Sequence, residues 1–185
     1  MEGELIIAGK TLESRFLLGT GKFKSKQLLE ETIRRSGAQV VTVALRRIDL
    51  EKNEDNILSY VPKNVILMTN TSGARNAKEA VRIARIAKES GYGNWIKIEV
   101  INDSKYLLPD NSETVKAVGI LAGEGYTVLP YFHPDLYVAR ELVKAGAAAI
   151  MPLGSLIGSN QGISPMRSLQ FVQKILQATG KKQIK

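Results

Sequence analysis

NWIKIEVI, at residues 94–101, is a β-branched run that lies between two segments with helical patterning. Alternation along a strand places Ile96 and Ile98 on one face, and Lys97 and Glu99 on the other. A strand between helices usually belongs to a parallel sheet that is buried on both faces. The run therefore predicts an α/β fold in which a lysine and a carboxylate share one side of a buried strand, with Cα atoms about 6.6 Å apart.

A lysine on such a strand has more than one physical explanation. Burial lowers the pKa of a lysine, and a neutral amine attacks a carbonyl to form a Schiff base. Alternatively, Lys97 forms a buried ion pair with Glu99, or its face of the strand is open to water. The spacing alone leaves the catalytic and the structural explanation open.

Short strands and helical stripes alternate along the chain. Strand centres near residues 17, 42, 67, 97, 129 and 150 recur every 21 to 32 residues, which is typical of βα units in a parallel sheet. The other predicted strands are Leu5–Ala8, Arg15–Leu18, Val40–Leu45, Val65–Thr69, Thr127–Tyr131 and Ala148–Met151. The predicted helices are Ser25–Ser36, Asp49–Tyr60, Asn76–Ser90, one from Ser112 with that residue as N-cap, Asp135–Ala145 and Met166–Ala178. We expect one domain over residues 1–185, in which a hairpin from residues 5 to 18 caps the N-terminal end.

Two architectures fit this alternation, a doubly wound open sheet and a TIM-type (β/α)8 barrel. The loop GTGK at residues 19–22 lacks the third glycine of the dinucleotide-binding fingerprint. The late loop GSLIGSNQG, at residues 154–162, offers glycines and hydroxyls that suit an anion. Barrel enzymes hold phosphate on late loops of this kind, so the barrel with a phosphosugar-type site is favoured.

The composition excludes several classes of site. The 185 residues contain no cysteine, which excludes disulfides, cysteine-ligated zinc and thiol catalysis, and a single histidine argues against a histidine-rich metal site. We expect no cofactor and no bound metal. The net charge of +8 favours an anionic partner, either a phosphorylated small molecule or nucleic acid. No apolar run reaches the ~20 residues that cross a bilayer, and we assign no role to His133.

Seven short motifs follow one another in a specific order and spacing. They are RFLLGTGK (15–22), VALRR (43–47), NTSGA (70–74), IKIEVI (96–101), LLPD (107–110), MPLGS (151–155) and IGSNQG (157–162). In this order the motifs resemble thiazole synthase of thiamine biosynthesis. The set is far more specific than any one of its members.

The resemblance implies a (β/α)8 barrel and a defined reaction. Such enzymes condense 1-deoxy-D-xylulose 5-phosphate, dehydroglycine and sulfur from a carrier-protein thiocarboxylate. Lys97 is then the Schiff-base lysine and Glu99 its acid–base partner, while Gly158, Ser159 and Asn70 contact substrate. The implied partners are a sulfur-carrier protein with a C-terminal thiocarboxylate, a dehydroglycine-producing enzyme and further copies of the chain in a cytoplasmic homo-oligomer, with neither nucleic acid nor membrane.

The resemblance ends before the family's last two βα units. The family continues into a strand that carries a catalytic aspartate, whereas the chain stops at Lys185. Six strands cannot close an eight-strand barrel. We therefore expect an incomplete barrel that is inactive and poorly folded alone. The alternatives are a class I aldolase acting on a sugar phosphate, a basic nucleic-acid-binding protein and an inactive truncated remnant.

Overall fold

The computed structural model describes residues 4–48 and 57–161. Eight strands and four helices lie in this part of the chain. They are β1 (Leu5–Ile7), β2 (Lys10–Leu12), β3 (Leu17–Gly19), α1 (Lys26–Ser36), β4 (Val40–Ala44), β5 (Ile66–Asn70), α2 (Ala77–Glu89), β6 (Trp95–Ile98), α3 (Asn111–Gly123), β7 (Thr127–Phe132), α4 (Leu136–Lys144) and β8 (Met151–Pro152). Short 3-10 turns cover Leu45–Arg47 and Ile57–Tyr60.

The strands β3 to β8 form one sheet in the order in which they occur in the chain. Each pairs in parallel with the next, so that Thr42 lies opposite Met68, and Asn70 opposite Lys97. A doubly wound sheet reverses its strand order at a central switch point, and the described strands show no such reversal. The prediction of a TIM-type barrel fold is confirmed, with six of its strands present here.

Strand alternation divides the apolar residues between the two faces of this sheet. The outer face carries Ile96, Ile98 and Val128, which are buried against α2, α3 and α4. The inner face carries Met68 and Trp95, which form a separate cluster with neighbours from several other strands. Because inward side chains from β4 to the segment before β8 belong to this one cluster, the sheet must curve around it.

The hairpin β1–β2 covers the N-terminal end of the inner cluster. Leu5, Ile7 and Leu12 are buried there against the first residues of β4 and β6. The prediction that Arg15–Leu18 forms the second strand of this hairpin is wrong. Positive φ angles at Ala8 and Gly9 (48° and 76°) make a tight two-residue turn, which brings Lys10–Leu12 alongside β1. Leu17 instead begins the parallel sheet, opposite Val40.

The helices begin at polar residues whose side chains accept hydrogen bonds from the first turn. Ser25, Asn76 and Asp135 cap α1, α2 and α4 in this way. Ser112 as the N-cap of α3 is wrong, because Asp110 accepts the N–H of Glu113 at 3.0 Å. The spacing of an acidic cap and a glutamate three residues later was the signal for this earlier start.

The last described strand is shorter and later than the predicted Ala148–Met151. Ala148 and Leu153 donate N–H groups to the carbonyls of Val128 and Phe132. Pro130 lies between these two acceptors on the same edge of β7 and has no N–H to donate, so the ladder is interrupted until Met151. The predicted helix Met166–Ala178, and residues 49–56 of the predicted helix Asp49–Tyr60, lie outside the described residues.

Gly146 offers a test of how the turn between α4 and β8 packs against α3. Its φ angle is 103°. A Cβ atom there would lie 2.8 Å from the Cβ of Ala122 on α3. We expect Gly146→Ala to lower the free energy of unfolding by about 1–3 kcal/mol, through backbone strain and overpacking. The same change at Gly119, which is exposed in α3 with no atom within 4 Å of the new methyl group, should raise it by roughly 0.5–1 kcal/mol.

Denaturant unfolding of the two variants measures both changes in the free energy of unfolding. Equal destabilisation by the two substitutions would contradict the described contact between the α4–β8 turn and α3.

Candidate active site

Lys97 and Glu99 form an ion pair inside the curved sheet. Lys97 lies in β6, and Glu99 follows the strand's last residue. The Nζ of Lys97 is 3.3 Å from Oε2 of Glu99, and the two side chains are only 19% and 13% exposed. The alternation of β6 therefore produces the shared face that its sequence predicts, and the pair lies at the carboxyl end of the strand, where barrel enzymes place their chemistry.

Tyr131 covers one side of this pair. Its ring centroid lies 5.2 Å from the Nζ of Lys97, within range of a cation–π interaction. Burial, and to a smaller extent the negative charge of Glu99, raise the pKa of Tyr131 to about 12. Its buried hydroxyl has no hydrogen-bond partner among the described residues. The sequence reasoning missed this residue, although alternation with Leu129 in β7 would have placed it on the inner face.

Thr71 fixes the backbone on which Glu99 is carried. Its side chain is fully buried. The Oγ1 atom accepts the N–H of Glu99 at 2.8 Å and donates to the Glu99 carbonyl at 2.9 Å, while the Thr71 N–H donates to the carbonyl of Lys97. One threonine at the end of β5 thus sets the position of both charged residues. No sequence signal beyond its place in the NTSGA motif indicated this role.

Asn70 lies beside Lys97 in the neighbouring strand, and the two residues line one cavity of about 170 Å³. The Asn70 side chain is oriented at both ends, because Nδ2 donates to Oγ1 of Thr42 at 3.4 Å and Oδ1 accepts the N–H of Ser72 at 3.0 Å. The structure therefore brings one predicted substrate-binding residue together with the predicted catalytic pair.

Arg46 lines the same cavity and was not singled out from the sequence. Its Nη2 donates to Oγ of Ser72 at 3.0 Å. Gly73 turns the backbone beside this arginine with φ at 102°, a conformation that favours glycine. The cavity therefore contains the cations of Lys97 and Arg46, and it suits a small polar molecule that carries negative charge.

Gly158 and Ser159 lie in the loop after β8 and do not line the cavity of Lys97 within the described residues. Gly158 adopts φ of 84°, and Ser159 donates its hydroxyl to the Leu156 carbonyl at 2.7 Å. Earlier residues of this loop line a second cavity, of about 250 Å³, together with His133. The structure thus places these two predicted contacts beside the site rather than in it, and Gly162 of the same loop lies outside the described residues.

His133 is exposed, and its backbone is held at both polar atoms by the amide of Asn111. Within the described residues no cluster of histidine, aspartate and glutamate is suited to a metal ion. None of the helices between residues 4 and 48 or between 57 and 161 has the length and apolar character to span a bilayer.

Comparison with known proteins identifies the family. The family model described as thiazole biosynthesis protein ThiG matches residues 6–178. The chain belongs to the ThiG family. A thiazole synthase from Pelotomaculum thermopropionicum is 66% identical over 163 residues, which are 88% of this chain and 64% of that protein. One from Acetivibrio thermocellus is 58% identical over 172 residues, 93% of this chain and 68% of that protein. The chain therefore spans about two thirds of the length of these ThiG relatives.

A solved structure supports the same assignment of fold. The BexX/CysO complex from Amycolatopsis orientalis contains a chain that is 28% identical to this one and superposes with a TM-score of 0.76. The alignment covers 92% of this chain and 70% of that one. Mandelate oxidase, at 15% identity and a TM-score of 0.59, shares only the barrel fold with this ThiG-family chain.

The raised pKa of Tyr131 has a measurable consequence for stability. A group whose pKa is higher in the folded state than its ordinary value of 10.0 contributes stability that is fully present below pH 10, and that is lost as the pH rises through about 12. Tyr131→Phe should remove this share of the alkaline loss of stability. Denaturant unfolding of both proteins at pH values from 9 upward measures it, with phenolate absorbance as a direct record of ionisation. Identical pH dependence in the two proteins would contradict the assignment.

Proposed function

We propose that this site serves a thiazole synthase, which in full-length form condenses 1-deoxy-D-xylulose 5-phosphate with dehydroglycine and sulfur from a carrier-protein thiocarboxylate, while residues 1–185 alone remain expected to be inactive. The observation that carries the proposal is the Lys97–Glu99 pair, 3.3 Å apart and nearly buried at the carboxyl end of β6, in a chain of the ThiG family. A buried lysine beside a carboxylate suits amine catalysis at a ketone. The cavity of about 170 Å³ gives a small molecule access to that lysine.

Lys97 supplies the nucleophile in this proposal. As a neutral amine it attacks the ketone carbon of the sugar phosphate, and loss of water leaves a protonated imine. The imine withdraws electrons from the adjacent carbon, which makes the protons of that carbon more acidic. Glu99 then moves protons during the rearrangement, because its carboxylate lies next to the imine nitrogen.

Asn70, Gly158 and Ser159 are proposed to contact the substrate on two sides. Asn70 is supported by its place in the cavity of Lys97 and by its fixed amide orientation. Gly158 and Ser159 are supported by their position in the loop, since loop residues before and after them, Leu156 and Gln161, line the second cavity at the ends of β7 and β8. Gly158 has no side chain to keep a phosphate from its backbone, whereas the N–H and the hydroxyl of Ser159 both donate to the Leu156 carbonyl and would have to change partner.

Borohydride trapping tests the proposed nucleophile. Incubation with 1-deoxy-D-xylulose 5-phosphate and borohydride should add the mass of the reduced sugar phosphate to the peptide that contains Lys97. Lys97→Ala should abolish this addition, and Lys105→Ala, in an exposed loop at the same end of the sheet, should leave it unchanged. Glu99→Gln should retain the trapped imine but lower thiazole formation about 100-fold or more, as expected for loss of an acid–base group.

Two outcomes would count against the assignment. Label on a different lysine would move the site elsewhere in the chain. Trapping accompanied by carbon–carbon cleavage of the sugar phosphate would favour a class I aldolase.

The sulfur is proposed to come from a separate carrier protein with a C-terminal thiocarboxylate, because the chain has no cysteine to hold it. The chain that shares this fold at 28% identity comes from the structure of a BexX/CysO complex. Lys22 and Lys24 are exposed in the loop after β3, at the end of the sheet where Lys97 lies. Such cations suit an acidic partner that approaches this end.

Charge reversal at the two ends of the sheet tests where the carrier binds. Lys22→Glu combined with Lys24→Glu should slow association with an acidic carrier about tenfold at low salt, and added salt should shrink the difference. The matched control combines Lys10→Glu and Lys63→Glu, which reverse two exposed charges at the opposite end. Equal slowing by both pairs, measured by surface plasmon resonance, would argue against docking at the Lys97 end.

The remaining expectations for this chain stay predictions. They are a single domain over residues 1–185, the inactivity of these residues on their own, a homo-oligomer, a cytoplasmic location and a separate enzyme that supplies dehydroglycine.

A further inference from the structure

The hydroxyl of Tyr131 is buried without any hydrogen-bond partner among the described residues. The residue is only 8% exposed. A buried hydroxyl that makes no hydrogen bond costs free energy relative to water, and native structures seldom retain one without a reason. A group that is unsatisfied in the free protein becomes satisfied when a ligand offers it an acceptor.

The position of Tyr131 relates this hydroxyl to the Lys97–Glu99 pair. Tyr131 lies on the inner face of β7, two residues after Leu129, which is part of the inner cluster. Its ring is 5.2 Å from the Nζ of Lys97, and the charge of Glu99 acts on its ionisation. A group bonded to the Nζ of Lys97 would therefore lie near the ring that carries this hydroxyl, although Tyr131 does not itself line the cavity of Lys97.

Two other buried side chains differ from Tyr131, which has an unsatisfied hydroxyl and also lies against the Lys97–Glu99 pair. Tyr126, also 8% exposed, donates its hydroxyl to the carbonyl of Ala84 at 3.3 Å, so it is a structural tyrosine. Thr114 has an unsatisfied Oγ1 as well, but it lies on α3 among residues buried outside the sheet. Among the described residues, only Tyr131 combines an unsatisfied buried hydroxyl with contact to the catalytic pair.

We propose that Tyr131 is a third catalytic residue, whose hydroxyl binds the substrate oxygen at the carbon attacked by Lys97 and then protonates that oxygen as it leaves as water. The proposal rests on the Schiff-base function proposed above. It adds a proton donor to the Lys97–Glu99 pair, carried on a ring whose centroid lies 5.2 Å from the amine that forms the new bond.

The step balances in atoms and electrons. The amine lone pair forms the nitrogen–carbon bond, the carbonyl π pair moves to oxygen, and a proton passes from nitrogen to oxygen to give the carbinolamine. The remaining nitrogen lone pair then forms the carbon–nitrogen double bond as the carbon–oxygen bond breaks. The departing hydroxyl takes the phenolic proton of Tyr131 and leaves as water, and the phenolate recovers a proton from solvent.

Two properties of Tyr131 suit this role. With its pKa raised to about 12 the phenol stays protonated at neutral pH, so it is present as a donor. It is nonetheless a far stronger acid than water, so transfer of its proton to a leaving hydroxide is favourable. Its ring face then lies near the positive charge of the protonated imine, which a π system stabilises.

Tyr131→Phe removes only the hydroxyl and tests the proposal. Lys97 trapping by borohydride should slow about 100-fold, as for loss of a proton donor at a reacting oxygen. Thermal stability at neutral pH should be equal or higher, because an unsatisfied polar group has been removed. Tyr126→Phe is the matched control, which should trap at the original rate but unfold at a lower temperature, since it loses a formed hydrogen bond.

A second measurement does not depend on imine formation. The alcohol obtained by reducing the ketone of the sugar phosphate retains the oxygen but cannot react with Lys97. Calorimetry should show it binding Tyr131→Phe roughly 3- to 10-fold more weakly than the unaltered chain, the effect of one hydrogen bond.

The outcomes separate the two proposals. No trapping at Lys97 in the full-length form would remove the proposed function. Normal trapping there, with an unchanged rate and unchanged alcohol binding in Tyr131→Phe, would overturn the role of Tyr131 alone. A marked loss of stability in that variant would also overturn it, because the hydroxyl would then be structural.

Discussion

The two-sided burial of β6 is the constraint on which the rest of the structure depends. Its outward residues, Ile96 and Ile98, are almost completely buried against the helices, and a shift of one residue would drive them inward and send Lys97 into the apolar outer layer. Because the strand period is two, the register that satisfies the apolar face also fixes the charged face. The parallel neighbours β5 and β7 then hold that register by hydrogen bonds on both sides. The location of the ion pair is therefore a consequence of hydrophobic packing elsewhere on the strand.

The ion pair itself contributes little to stability on physical grounds. Removing two charges from water costs free energy that their mutual attraction only partly recovers. At Lys97 and Glu99 the surroundings lessen this cost, since the Tyr131 ring faces the ammonium and both side chains keep some exposure. Thr71 adds two hydrogen bonds to the Glu99 backbone, which hold the carboxylate in place without neutralising it. The arrangement therefore fits the proposed role of Lys97 and Glu99 in catalysis better than a role in stabilising the sheet.

The sequence predicts the fold well where periodicity is strong, and less well where local chemistry decides. The repeated strand spacing and the alternation in β6 lead directly to the parallel sheet and to the pairing of Lys97 with Glu99. The hairpin partner, the start of α3 and the position of β8 depend instead on single features: a left-handed pair at Ala8 and Gly9, the cap at Asp110 and the missing N–H of Pro130. Residues that complete the site, such as Tyr131 and Arg46, come from strands distant in sequence, so only the assembled sheet brings them to Lys97.

The inner face of the sheet changes character along its length, and this change explains how an unfavourable site is tolerated. Towards the N-terminal ends of the strands, Met68, Trp95 and Leu129 are covered by the apolar side of the hairpin, which excludes water and stabilises the curved sheet. Towards the carboxyl ends the same face carries charged groups and an unsatisfied hydroxyl, each of which costs free energy in the absence of a ligand. Stability gained in the first layer offsets what the second layer lacks. A ligand that satisfied Tyr131 and the cations of the cavity would reduce that cost, so part of the free energy needed for specific binding is already built into the free protein.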